Sequence, residues 1–265
     1  MPRPDISFQD LGPGRCAAQR ETSATGRALA RWRHAHRTRH RRSQPRLLGH
    51  RAIAGRRLGR HRRGTLGADA GARARAGAHA LEVDVTDQAS VAGALREVAE
   101  RHGRVDLVVN AASPYGGSRS GPFGGGPLAE AGPSGFEDWS AMPVRGAFAF
   151  LSASARFLAD QGGEATVVQV TGGSSRRAMA GRGLWAAGAF GVRALTQAAA
   201  LELRAQGIHV ALLVVDAVID RSGGDDAGSA DPASLADAVA YLAGQSPRAM
   251  THELQVTPAL DQWVP

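Results

Sequence analysis

The chain has 265 residues, 43% of them hydrophobic, which suffices for one core of ordinary size and is too short for two large domains. A single cysteine, Cys16, allows neither an internal disulfide nor a thiolate zinc site, and no apolar run approaches transmembrane length. With no charged-then-apolar pattern at the N-terminus, the expectation is a soluble, cytoplasmic protein.

The net charge of +8 is unevenly placed. Residues 1–75 hold 19 Arg against four acids, Asp5, Asp10, Glu21 and Asp69, whereas residues 76–265 hold 13 Arg against 20 acids. All 32 basic residues are Arg, and Lys is absent from the chain. Between Arg27 and Arg63 there are 14 Arg, five His and no acid. Such a stretch cannot build much core. Three readings compete for it: a basic arm that binds phosphate backbones, an organelle transit segment, or the out-of-frame product of a GC-rich gene. The third is favoured. Residues 1–75 are thus expected to be poorly ordered, with one or two improvised elements at most. The glycines at 12–14 and within 54–64 are read as lacking a preceding apolar strand.

Order begins after residue 76. HALEVDV (79–85) reads as a strand, followed by a helix with Asp87 as N-cap and Val91, Leu95 and Val98 at helical spacing. VDLVV (105–109), TVVQV (166–170) and VALLVV (210–215) are short, Val-rich runs suited to strands buried on both faces. Helices are expected at about 137–160, 184–206 and 232–244. The Gly- and Pro-rich connection from Ser113 to Gly135 reads as a surface or lid loop, since no strand leads directly into its glycines. Strands alternating with helices predict an α/β, Rossmann-type doubly wound parallel sheet over 76–265, its N-terminal strands irregular or missing.

Residues 79–258, about two-thirds of the chain, resemble the short-chain dehydrogenase/reductase family. The resemblance rests on EVDVTD (82–87), GRVDLVVNAAS (103–113), TVVQVTGGSS (166–175), the segment 184–220, and THELQVTPALDQW (251–263), in that order. It implies NAD or NADP as cofactor, with Asp84 and Val85 at the adenine and Asn110, Ala111 and Ala112 along the segment after the fourth family strand. Ala111 and Ser113 depart from the family pattern.

The family's proton relay does not carry over. Trp185 stands at the Tyr position, Ala189 at the Lys position four residues later, and Pro143 at the Asn position. The family Ser falls on Gly172, with Thr171 and Ser174 nearby as stand-ins; the favoured reading of these hydroxyls is a hydrogen-bonded turn after a strand. Ser174 and Tyr115 are the candidate catalytic residues left. The resemblance therefore implies an NAD(P)-dependent oxidoreductase acting on an alcohol or carbonyl, catalytically impaired. The alternative is a non-catalytic binding or interaction protein. The 184–206 helix, apolar around most of its circumference (Leu184, Trp185, Phe190, Val192, Leu195, Leu201), suggests a homo-oligomer. Nucleic-acid binding through the Arg-rich segment is a third, weaker class.

Overall fold

The two longest Val-rich runs pair at the middle of a parallel sheet. Strands β4 (Ala165–Gly172) and β5 (Ile208–Val215) run in register from Ala165 opposite Ile208 to Gly172 opposite Val215. Every residue of β5 is buried, as expected of a strand covered on both faces. β3 (Leu107–Asn110) joins β4 on one side and β6 (Glu253–Val256) joins β5 on the other, giving the order β3-β4-β5-β6. A separate parallel pair is formed by β1 (Ile53–Gly55) and β2 (Ala80–Glu82). This computed structural model describes residues 53–55, 80–112, 121–220 and 226–261.

Side-chain alternation along the strands sorts the core into two layers. Val167, Ile208 and Val210 face a cluster built with α1 (Gln88–His102), α3 (Met142–Gln161) and α4 (Gly183–Leu203), through Val91, Leu95, Phe150, Leu158 and Leu203. Val168, Ala211 and Leu213 face the opposite layer, where Leu242 of α5 (Pro232–Ala243) is fully buried. Helices thus cover both sides of the sheet, as the alternation of elements predicts.

Local chemistry sets the boundaries. Asp87 caps α1 by accepting from the Ala89 and Ser90 amides, and Asp231 caps α5 through Ala233 and Ser234. β2 ends at Glu82, earlier than the apolar pattern suggests, because Asp84 bends the chain: its carboxylate accepts from the amide and hydroxyl of Thr86. The connection after β3 also ends earlier than expected. From Gly121 it contains a 3-10 turn (Phe123–Gly125), and Pro133 then starts α2 (Pro133–Phe136), which continues through a wide π-type turn (Glu137–Ala141) into α3. Proline at a first helical turn, after extended Gly132, starts the helix ahead of the apolar periodicity.

The Arg-rich segment needs one correction. Ile53–Gly55 is a strand; it contains Gly55 and precedes Gly59 and Gly64, which were read as having no strand before them. Three residues between arginines carry no detectable period; pairing with β2 defines the strand instead. Apart from it, the segment on which the nucleic-acid, transit and frame readings rest lies outside the described residues. Among the described residues, no helix is long and apolar enough to cross a membrane.

Candidate functional site

Both halves of the expected site lie at the carboxyl ends of the strands, where open α/β sheets place their ligands. At the end of β2, Asp84 is exposed, its amide donating to the Ser90 hydroxyl of α1 at 2.9 Å. Val85 beside it is buried and anchors the turn. At the end of β3, Asn110 is buried and donates to the Gln169 side chain of β4 at 3.0 Å. The Asn110 side-chain oxygen accepts from the Ala112 amide at 3.1 Å, which fixes the Ala111–Ala112 backbone as the chain leaves the sheet.

The other half gathers around α4. Trp185, in its first turn, meets Phe123 edge-to-face with centroids 4.8 Å apart, and Trp139 at 6.5 Å. Phe123 also packs edge-to-face on Trp139 at 4.9 Å. Each such pair is worth about 0.5–1.5 kcal/mol beyond its buried area. The Arg182 guanidinium lies over the Phe123 ring, 5.2 Å from its centroid. The π-type turn holds Trp139 in place: Ser140 donates to the Leu184 carbonyl at 2.7 Å, and Gly188 lets α4 approach so closely that a Cβ there would stand 2.5 Å from the Trp139 carbonyl oxygen.

The residues that the resemblance matches to the family relay lie close together here. A Cβ on Gly172 would lie 3.8 Å from the Trp185 ring, so these two residues face each other. Ala189 is 5% exposed and Pro143 is buried in the first turn of α3. Ser174 sits in the 3-10 turn Gly173–Ser175, buried, beside Ser175, whose hydroxyl donates to the Gly172 carbonyl at 2.8 Å. Tyr115 lies outside the described residues.

An ion-pair network ties this corner to the last strand. Arg193 of α4 donates to both carboxylate oxygens of Glu253, each at 2.8 Å, and Gln197 adds a bond at 2.7 Å. Arg176 approaches the same carboxylate at 3.6 Å. Burial works against the charged Glu253, but the hydrogen bonds from Arg193 and Gln197 and the two arginine charges outweigh it and hold its carboxyl below the ordinary range. Arg193 also donates to the Ser175 carbonyl at 3.3 Å, and Arg177 pairs with Asp216 at 3.8 Å. Sequence reading missed this network, as well as Phe123 and Trp139. The available signals were a carboxylate opening an apolar strand (Glu253) and another ending one (Asp216).

Comparison with known proteins agrees with this architecture. The family profile described as enoyl-(acyl carrier protein) reductase matches residues 61–223. A sorbitol dehydrogenase of Cereibacter sphaeroides is 31% identical over 131 residues; the chain spans about half the length of this curated relative, 48%, using 49% of its own. A short-chain dehydrogenase from Mycobacterium smegmatis superposes with a TM-score of 0.62 at 23% identity, over 78% of this chain and 80% of that one. One from Rhodopseudomonas palustris gives 0.60 at 22%, over 78% and 85%. A metagenomic short-chain oxidoreductase solved in complex with NADP gives 0.59 at 21%, over 79% and 86%. The solved structures share the fold, and the profile match extends over more than half of the sequence. On that match and on its Rossmann-type sheet, this chain belongs to the short-chain dehydrogenase/reductase family of oxidoreductases.

Proposed function

We propose that this chain is a catalytically impaired family member that keeps the adenine side of a dinucleotide site, for NAD or NADP, and has lost the proton-transfer side. One observation carries the proposal: the Tyr position holds Trp185, packed against Phe123 at 4.8 Å, with buried Ala189 one turn further on. An indole N–H does not exchange a proton near neutral pH, and a methyl group carries no charge. No Lys exists elsewhere in the chain to take over.

The fit to a dinucleotide is correspondingly divided. Exposed Asp84 and the backbone beyond Asn110 offer polar groups at strand ends, as an adenosine requires. At the four matched positions themselves, Trp185, Ala189, Pro143 and Gly172 offer no side chain that could hold ribose hydroxyls or pass a proton to a carbonyl.

The test is titration of the full-length protein with NADH and NADPH by nicotinamide fluorescence, followed by turnover on alcohol and ketone panels. Loss of general acid/base catalysis predicts kcat/KM lower by about 10²–10⁴ than in a relative with an intact Tyr–Lys pair. Turnover equal to such a relative overturns the proposal.

A second reading, a non-catalytic protein that assembles with itself, is favoured by the outer face of α4. Ala187, Phe190, Ala194, Ala198 and Leu201 are all exposed and lie symmetrically about Ala194. Across a two-fold axis at Ala194, an antiparallel second copy brings its Leu201 over Ala187. There an apolar groove of about 450 Å³ opens among Phe136, Val144, Phe148 and Ala187. Glu202 follows Leu201 at the end of the stripe, and Arg145, paired with Glu137 at 3.1 Å, stands at the groove rim.

A further inference from the structure

Two buried side-chain amides stand side by side where β3 ends. Asn110, the last residue of β3, is 4% exposed, and Gln169, its direct partner across the β3–β4 ladder, is 2% exposed. Both lie on the face of the sheet that packs against α1, α3 and α4, in step with Val108 and Val167. Beyond this pair β4 continues to Gly172, whereas β3 gives way to Ala111 and Ala112. Two buried amides at such a place cost stability unless their groups are bonded.

They are bonded in one series. Gln169 Nε2 donates to the Val170 carbonyl at 2.9 Å, Gln169 Oε1 accepts from Asn110 Nδ2 at 3.0 Å, and Asn110 Oδ1 accepts from the Ala112 amide at 3.1 Å. The two ends fix the direction of the series. A backbone carbonyl only accepts and a backbone N–H only donates, so the Val170 carbonyl turns the nitrogen of Gln169 towards itself and its oxygen towards Asn110. Asn110 must then present its nitrogen to Gln169 and its oxygen to the Ala112 amide. Turning over either side-chain amide, or both, sets acceptor against acceptor at one place and donor against donor at another.

We propose that Gln169 is a positioning residue for the cofactor segment, a role that rests on the dinucleotide reading above. By orienting the Asn110 side chain, it holds the Ala112 amide and the Ala111–Ala112 turn in the form that a dinucleotide meets. Gln169 itself is buried and acts through Asn110, while Ala111 is exposed at the strand end. The other end of β3 carries a control. There Gln161 of α3 accepts from the Val105 amide at 2.8 Å and donates to the Val105 carbonyl at 2.9 Å. Gln161→Met removes both bonds and touches nothing in the series from Val170 to Ala112.

The experiment compares Gln169→Met, Asn110→Ala and Gln161→Met in the full-length protein, by NADH and NADPH titration and by hydrogen exchange at the Ala112 amide. Gln169→Met should weaken cofactor binding about three- to tenfold and speed Ala112 exchange by a similar factor, as for one lost hydrogen bond. Asn110→Ala should do the same, and adding Gln169→Met to it should cost little more. Gln161→Met should lower the melting temperature and change neither readout. Unchanged affinity and exchange in Gln169→Met, additive effects of the two site variants, or an equal effect of Gln161→Met overturns the proposal. A wild type that binds neither cofactor overturns the dinucleotide reading and not the series, which Ala112 exchange then upholds or overturns. Should the variants fail to fold, the wild-type side-chain amide protons decide: a slowly exchanging proton on both Gln169 and Asn110 supports the series, and rapid exchange on either overturns it.

Discussion

The carboxylate of Asp216, at the end of β5, fills the space that a side chain on Gly173 would need, and a Cβ there would overlap its oxygen and carboxyl carbon. The carboxylate is in turn held by Gln255 of β6 at 3.3 Å and by Arg177 at 3.8 Å. The turn after β4, next to the Ser position of the family relay, is thereby closed by a carboxylate. Gly173→Ala should destabilise the protein by about 1–3 kcal/mol, the usual cost of overpacking. Chemical denaturation gives the value. Gly173→Ala in an Asp216→Ala background should cost clearly less, because the clashing group is gone.

Glu253 predicts an acid limb in stability. Its carboxyl titrates below the ordinary value of 4.5, so its contribution is present above that pH and is lost as pH falls through the lower folded value. Thermal melts from pH 6 to pH 3 should show this limb. Glu253→Gln should remove most of it and cost about 1–2 kcal/mol at neutral pH, since the pair is partly exposed.

Rebuilding the relay by substitution should fail at Ala189. With only 5% of this residue exposed, Ala189→Lys places an ammonium group in a packed helix face beside Val192 and Ala186. The expected cost is about 3–5 kcal/mol, as for an unpaired buried charge. Trp185→Tyr alone should be much milder and should yield no dehydrogenase turnover. Melting temperatures of the single and double variants, read beside activity, check both statements.

The α4 face predicts assembly. Leu201 is 65% exposed at one end of the symmetric stripe, and Leu201→Glu should convert a dimer to a monomer in analytical ultracentrifugation. Leu260→Glu, at a 77% exposed position off this face, should leave the dimer unchanged. A wild-type monomer at tens of micromolar would refute the assembly.

Much of the architecture was legible in the residues themselves. TVVQV and VALLVV became β4 and β5 because unbroken β-branched runs can be buried on both faces of a parallel sheet. Asp87 capped its helix because capping is a local bond between a side chain and amides two or three residues on. The replacements at 172, 185 and 189 were also visible, as identities at a fixed spacing. Three-residue β1 was not legible, since its order comes from pairing with β2 rather than from any pattern of its own. Only the tertiary structure joined Phe123, Trp139 and Trp185, or set Glu253 on Arg193, 60 residues away in sequence. The physical reason is the range of the interactions: periodicity, capping and spacing act within a few residues, whereas ring contacts, ion pairs and the crowding of Gly173 by Asp216 depend on strand register and on the way α4 crosses the sheet.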